Sequence, residues 1–195
     1  MLRPVPPREL SDEDAVLVVR VSEGDVAAYR ELVRRHAAKL THYARRLLGD
    51  ESEAEDVVQE TCLRLWQRAA DYSPEARVTT WLHRITHNLA VDRLRARGRF
   101  QPVSDDEVEA EPISAPQPRE LETKHRVATL ETAWAELPER QAAALALVHF
   151  DGLSGSEAAQ VLGVSEEAVE SLLARGRRAL KAHLRAHDLV SGASQ

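Results

Sequence analysis

The chain has 195 residues, 43% hydrophobic but only 4% aromatic, with 30% charged; this length holds one medium domain or two small ones, and an Ala/Leu/Arg/Glu-rich mixture favours helices over sheets. A single cysteine, Cys62, excludes an internal disulfide and a CxxC metal framework, no stretch approaches the ~20 apolar residues that span a bilayer, and MLRPVPPREL at the start lacks the apolar run of a secretory signal, so a cytoplasmic protein is expected. The net charge of -6 looks wrong for a nucleic-acid binder until it is divided along the chain, because residues 101–120 alone hold one Lys/Arg against six Asp/Glu.

In chain order, Asp25 to Leu48 places Ala28, Leu32, Val33, Leu40, Tyr43, Ala44 and Leu47 at mostly three- to four-residue steps, predicting an amphipathic helix that Gly49 ends. The next segment, DESEAEDVVQETCLRLWQRA, contains Ser52-x-x-Glu55, which reads as a capping box, and crowds acids at the positive end of the helix dipole. Its Ala54, Val57, Val58, Cys62, Leu65, Trp66 and Ala69 predict the buried side, which leaves Asp56, Gln59, Glu60, Leu63 and Arg64 facing away from the core. Cys62 reads as a small buried hydrophobe.

A loop containing Tyr72-Ser-Pro74 follows, and helical spacing resumes at Trp81, Leu82, Ile85, Leu89, Val91 and Leu94 with Arg84, Asn88 and Arg95 opposite. Cations for phosphates, an amide for base edges, and Trp81 and Tyr72 for stacking suit a nucleic-acid surface, although a solvated charged helix would look alike here. His83 and His87 have a spacing that can hold zinc on a helix, but no third ligand is apparent, so no metal is expected. No cofactor is expected either. Gly-rich phosphate loops, nucleophile elbows and HExxH are missing from the sequence, which argues against an enzyme.

Residues 101–120 (QPVSDDEVEAEPISAPQPRE) combine four prolines with self-repelling acids and read as a linker. The expected organisation is therefore all-α, with two small helical domains at 11–100 and 121–187 joined by an acidic, proline-containing linker at 101–120. In the second domain Pro138 opens a helix; Ser154-x-x-Glu157 caps the next, with Ala158, Ala159 and Leu162 inward; Gly163 turns the chain; and Ser165 caps a last helix whose core side is Val169, Leu172, Leu173 and Leu180. Ala159, Gly163 and Val169 have the spacing of a helix-turn-helix, a plain helical hairpin being the alternative.

Three blocks in this order, EAEDVVQETCLRLW (53–66), TWLHRITHNLAVDRLR (80–95) and LPERQAAALALVHFDGLSGSEAAQVLGVSEEAVESLLARGRRAL (137–180), separated by an acidic linker, resemble the extracytoplasmic-function sigma factors of the sigma-70 family. The resemblance covers nearly the whole chain beyond its first ten or so residues. It implies a factor that binds core RNA polymerase, directs it to promoters and promotes melting, with an anti-sigma factor as a further partner. By position it implies that Asp56, Gln59, Glu60, Leu63 and Arg64 dock on the clamp helices of the largest subunit. Tyr72, Arg77, Thr79, Trp81, Arg84, Asn88 and Arg95 would act at the -10 element, the loop from Asp71 to Thr80 holding a flipped-out base. Ser165, Glu170, Ser171, Ala174, Arg175, Arg177 and Arg178 would act at the -35 element, and the chain would also meet the polymerase flap. The chain departs from the family in the last helix, where Gly-Thr-Val-Lys-Ser-Arg is often found but Glu167 to Leu172 stand here, and where Ala174 replaces a His or Phe; two cations are lost, so the family's -35 sequence does not transfer. A dimeric helix-turn-helix regulator would leave the first block unexplained, and a protein-binding adaptor would leave the basic helices idle.

Overall fold

The computed structural model describes residues 12–98 and 130–192. The chain divides into two compact units, Met1–Ala96 and Arg97–Gln195; the expected linker at 101–120 and the adjoining residues 121–129 lie outside the described residues. Among the described residues every regular element is helical, and no helix is long and apolar enough to cross a membrane.

The first unit holds α1 (Asp12–Ser22), α2 (Val26–Leu48), α3 (Glu51–Arg68), a 3-10 turn (Ala69–Asp71) and α4 (Val78–Ala96). The start of α2 is fixed by Asp25, whose carboxylate accepts from the backbone N–H of Ala27 at 2.8 Å and Ala28 at 3.1 Å and from Arg20 at 2.6 Å. Gly49, in the left-handed region, ends the helix. The cap of α3 is Asp50, which accepts from Glu53 N at 2.9 Å, and not the expected Ser52 with Glu55. The extended backbone of Asp50 (φ -133, ψ 128) directly after Gly49 lets the helix begin at Glu51, so Ser52 and Glu55 lie inside it as exposed residues.

Leu32, Leu40, Tyr43, Ala44, Val57, Leu65, Leu82, Leu89 and Leu94 form the core of this unit, each large aliphatic side chain contributing roughly 1.5–3 kcal/mol by leaving water. Val33, Trp81, Ile85 and Val91 are only half-buried. Places that periodicity alone gives to apolar residues are taken by a polar seam of His36, Thr61, Thr80, His83 and Thr86, all buried. Helix geometry makes this seam affordable: Thr61 and Thr86 reach the carbonyls one turn back, Val57 O at 2.9 Å and Leu82 O at 3.0 Å, and approach each other at 3.1 Å. His83 donates from Nδ1 to Thr79 O at 2.8 Å and meets Tyr43 edge-on, while His87 Nδ1 lies 2.9 Å from the Tyr43 hydroxyl. The two histidines thus serve the interior contacts of α4 with α2.

The second unit holds a helix α5, described over 130–135, then α6 (Glu139–Leu145), α7 (Gly155–Leu162) and α8 (Glu166–Gly192). Pro138 is the cap of α6 and stands just before its first turn, with its carbonyl accepting from Gln141 and Ala142. The end of α6 widens into a π turn, Ala146–Phe150. The Ser154–Glu157 capping box of α7 is complete, since Ser154 Oγ accepts from Glu157 N at 3.2 Å and Ser154 N donates to the Glu157 carboxylate at 2.8 Å. Gly163 at φ +66 closes α7, and Ser165 Oγ accepts from Ala168 N at 3.2 Å to open α8. Ala158, Ala159, Val161, Val169, Leu172 and Leu173 lie inside this helix-turn-helix. Gly176 is a close approach that the sequence did not reveal, because a Cβ there would stand 2.7 Å from Leu145 Cδ1 of α6.

Candidate protein and nucleic-acid interfaces

Because its inward side is filled by Ala54, Val57, Val58, Thr61 and Leu65, α3 turns Asp56, Gln59 and Leu63 to solvent, with Glu60 and Arg64 half-buried at the margin. Leu63 is 47% exposed. Around it Arg64 pairs with Glu60 at 3.0 Å, and Asp56 lies 3.7 Å from Arg93, which also donates to Glu53 O and so ties the end of α4 to the start of α3. Trp66, expected in the core, instead closes this strip as a 38% exposed ring meeting Tyr29 edge-on at 5.4 Å. An exposed aliphatic residue ringed by acid, amide and ion pair, beside a half-covered indole, is suited to a protein partner rather than to phosphate. Cys62 is half-buried near Tyr29, and loss of hydration pushes its thiol pKa up, which disfavours the reactive thiolate.

A second strip runs along α4. Arg84, Asn88 and Arg95 are exposed and Trp81 is half-buried, all on the side away from Leu82, Leu89 and Leu94. Arg95 lies 3.7 Å from Asp92. The loop before α4 is shorter than the Asp71 to Thr80 expected for it: Val78 already begins the helix, and Val78 and Thr80 are buried. Thr79 is half-buried with its carbonyl taken by His83. Tyr72 donates to Ala76 O at 2.7 Å, its ring is 5.4 Å from that of Trp81, and Trp81 N donates to Arg77 O. The aromatic pair therefore holds the turn over the start of α4, with the exposed cations following along the same helix.

The third strip is on α8. With Val169, Leu172, Leu173 and Gly176 inward, the helix turns Glu170, Ser171, Ala174, Arg175 and Arg178 outward, Ser171, Ala174 and Arg175 being half-buried. Ser165 sits exposed at the cap. Arg177 is also exposed but donates from Nε to Leu173 O at 3.2 Å, placing it toward the edge of the strip. Leu172, where family members often carry arginine, is core. On the same unit the π turn leaves Phe150 51% exposed and edge-on to Trp134 at 5.6 Å, with Leu130 also exposed. Periodicity could not have found this apolar face, because the widened turn breaks the helical register.

Two family models match the chain, sigma-70 region 2 over residues 32–100 and sigma-70 region 4 over residues 128–180. Similar proteins include the ECF RNA polymerase sigma factor SigE of Mycolicibacterium smegmatis, 38% identical over 92% of this chain and 72% of the relative. Another is the RNA polymerase sigma factor NccH of Alcaligenes xylosoxydans xylosoxydans, 34% identical over 90% of this chain and 97% of the relative. Among solved structures, CnrH in complex with the cytosolic domain of CnrY matches with a TM-score of 0.68 at 28% identity over 90% of this chain and 99% of that one.

The chain belongs to the sigma-70 family, within its extracytoplasmic-function group. It is a sigma factor, which binds core RNA polymerase, directs it to specific promoters and promotes DNA melting at initiation.

Proposed function

We propose that the three strips divide the work of initiation among them. The α3 strip of Asp56, Gln59, Glu60, Leu63 and Arg64 docks on the clamp helices of the largest polymerase subunit. The loop and α4 strip, with Tyr72, Arg77, Thr79, Trp81, Arg84, Asn88 and Arg95, takes the -10 element: cations hold the strand, and a base leaving the stack is caught beside the Tyr72–Trp81 pair. Holding one base outside the duplex offsets an unstacking cost of a few kcal/mol, so melting needs neither ATP nor a catalytic residue. The α8 strip of Ser165, Glu170, Ser171, Ala174, Arg175, Arg177 and Arg178 reads the -35 element as duplex. Leu130, Trp134 and Phe150 give the second unit an apolar surface on which the polymerase flap rests.

The observation that carries the docking assignment is Leu63, a leucine left in water at the centre of a polar ring. An anti-sigma factor is the further partner on this reading, in keeping with the similar structure of CnrH, solved in complex with the cytosolic domain of CnrY. The test is the affinity of folded Asp56→Arg and Leu63→Arg for core polymerase. Both are exposed, so stability changes by under ~0.5 kcal/mol. A loss of binding of at least about tenfold, 1.4 kcal/mol, is expected, and wild-type affinity in both would overturn the assignment.

A further inference from the structure

The carboxylate of Glu170 stands where a helix-turn-helix puts a base-reading side chain. The rotation of α8 is fixed from inside, since Val169, Leu172 and Leu173 are buried and Gly176 lies against Leu145. Ser165 caps the helix and Glu166 and Glu167 make its first turn, so Glu170 comes one turn in, on the same outward side as Ser171, Ala174 and Arg178. Nothing in the helix neutralises it: the residues three and four positions away are Glu166, Glu167, Leu173 and Ala174, whereas helical ion pairs need a cation at that spacing. Ala174, one turn on, has no reach of its own and leaves the space over Glu170 open.

The cations of α8 are Arg175, Arg177, Arg178, Lys181 and Arg185, all after Glu170. Charge is thus segregated along the helix, with three acids at the N-terminal end that enters a major groove in this fold and the cations behind them. A carboxylate between two phosphate backbones is repelled unless a donor meets it. Donors on major-groove base edges are limited to the amino groups of cytosine and adenine. Guanine N7 and O6 and thymine O4 are acceptors and repel it; adenine sets its N7 acceptor beside the amino group, where it opposes the second carboxylate oxygen. Cytosine presents the amino donor alone.

From this arrangement we propose that Glu170 is a specificity-determining residue of the upstream reader, selecting a cytosine at one position through its N4 amino group and acting chiefly by rejecting guanine and thymine there. The inference rests on the assignment of α8 to the upstream duplex, and it replaces the cation-based reading that the family's commoner sequence would bring.

The test uses the full chain with core polymerase and a pool of DNA duplexes randomised across the promoter region, recovering bound DNA for the wild type, Glu170→Gln and Glu170→Lys. The wild type is expected to hold cytosine at one upstream position with a preference of about 5- to 150-fold over guanine or thymine, the discrimination of one good side-chain–base contact. Glu170→Gln should move that position toward adenine, and Glu170→Lys toward guanine with a steeper salt dependence, while the downstream element selected stays the same for all three. An unchanged upstream consensus in Glu170→Gln, or an even gain of affinity on every sequence in Glu170→Lys, would overturn the proposal and leave Glu170 a bystander charge. Failure of all three proteins to select either element would instead overturn the functional reading on which it rests.

Discussion

Arg175 and Arg178 stand three residues apart on the outward side of α8 but in different surroundings. Arg175 is half-buried and its Nε is buried without a hydrogen-bond partner among the described residues, whereas Arg178 is exposed. A guanidinium packed partly against the helix is restricted to a fixed contact, whereas an exposed one is placed to meet phosphate. Arg175→Ala is therefore expected to relax preference at one or two upstream positions by ~1–3 kcal/mol. Arg178→Ala should lower affinity evenly and reduce the salt slope by about one. Binding measured on matched and mismatched promoters over a salt series separates them, and identical losses on every sequence would refute the division. Gly176 is a different kind of residue-scale constraint, of packing rather than of contact to DNA. Gly176→Val pushes a Cβ to 2.7 Å from Leu145 Cδ1 and adds two methyls, which is expected to cost ~1–3 kcal/mol by overpacking; chemical denaturation followed by the fluorescence of Trp134 in this unit would read it.

Helices hold one another here through polar contacts as much as through apolar ones, and α1 on α2 shows it best. Arg35 bridges Glu13 at 3.1 Å, Asp14 at 2.9 Å and Glu31 at 2.7 Å, and the neighbouring His36 donates to Asp14 at 2.9 Å. The pull of Arg34 and Arg35 brings the Glu31 carboxyl pKa to about 2. For His36, burial lowers the pKa more than the attraction of Asp14 raises it, with His83 and Lys39 adding to the lowering. The unfolded chain then binds more protons than the folded one as pH falls below about 6.5, so His36 makes the unit less stable on acidification and contributes nothing above that pH. An NMR titration should find the His36 imidazole below the ordinary histidine value, and thermal unfolding should come earlier at pH 5.5 than at 7.5; a raised His36 value would contradict this. At the other unit's turn, Gly163→Ala places a Cβ at φ +66 and is expected to cost ~1–2 kcal/mol, visible in denaturation and as weaker upstream binding.

How far these elements were legible in the sequence follows from the same physics. Gly49, the Ser154–Glu157 box, Gly163 and Ser165 were readable because each solves a local backbone problem with neighbours in sequence, whereas the Asp25 cap of α2 was not picked out. Asp50 was missed because two capping signals overlapped and the turn at Gly49 chose between them. The buried Thr61, Thr86, His36 and His83 were invisible to a hydrophobic period, since their burial is made possible by partners on the same helix or across helices. Trp66 was assigned to the core by type and spacing, yet its size leaves it at the rim against Tyr29. The outward strips on α3, α4 and α8 were legible as the complement of the core, whereas the Phe150 face required the π turn to be seen.

At the scale of the whole molecule, a net charge of -6 sits with basic strips on α4 and α8, one in each compact unit, and with further exposed cations on α2, Arg34, Arg35, Lys39 and Arg45. Each strip alone is a small footprint with few phosphate partners, and acids at the head of α8 weaken it further, so the isolated chain is expected to hold DNA poorly and with little selectivity. On the proposed division of work, polymerase would change this by holding both units on one promoter, which would turn the second contact into an intramolecular event with a high effective concentration. Selectivity then belongs to the assembly rather than to either unit.

The most direct measurement is the binding of the full chain to promoter DNA alone and after addition of core polymerase, in the same buffer and with Leu63→Arg as the control. The account predicts selective binding and strand opening only when polymerase is present, and loss of both with Leu63→Arg. Selective, tight promoter binding by the chain alone, unaffected by polymerase or by Leu63→Arg, would contradict it and describe a free-standing helix-turn-helix regulator instead.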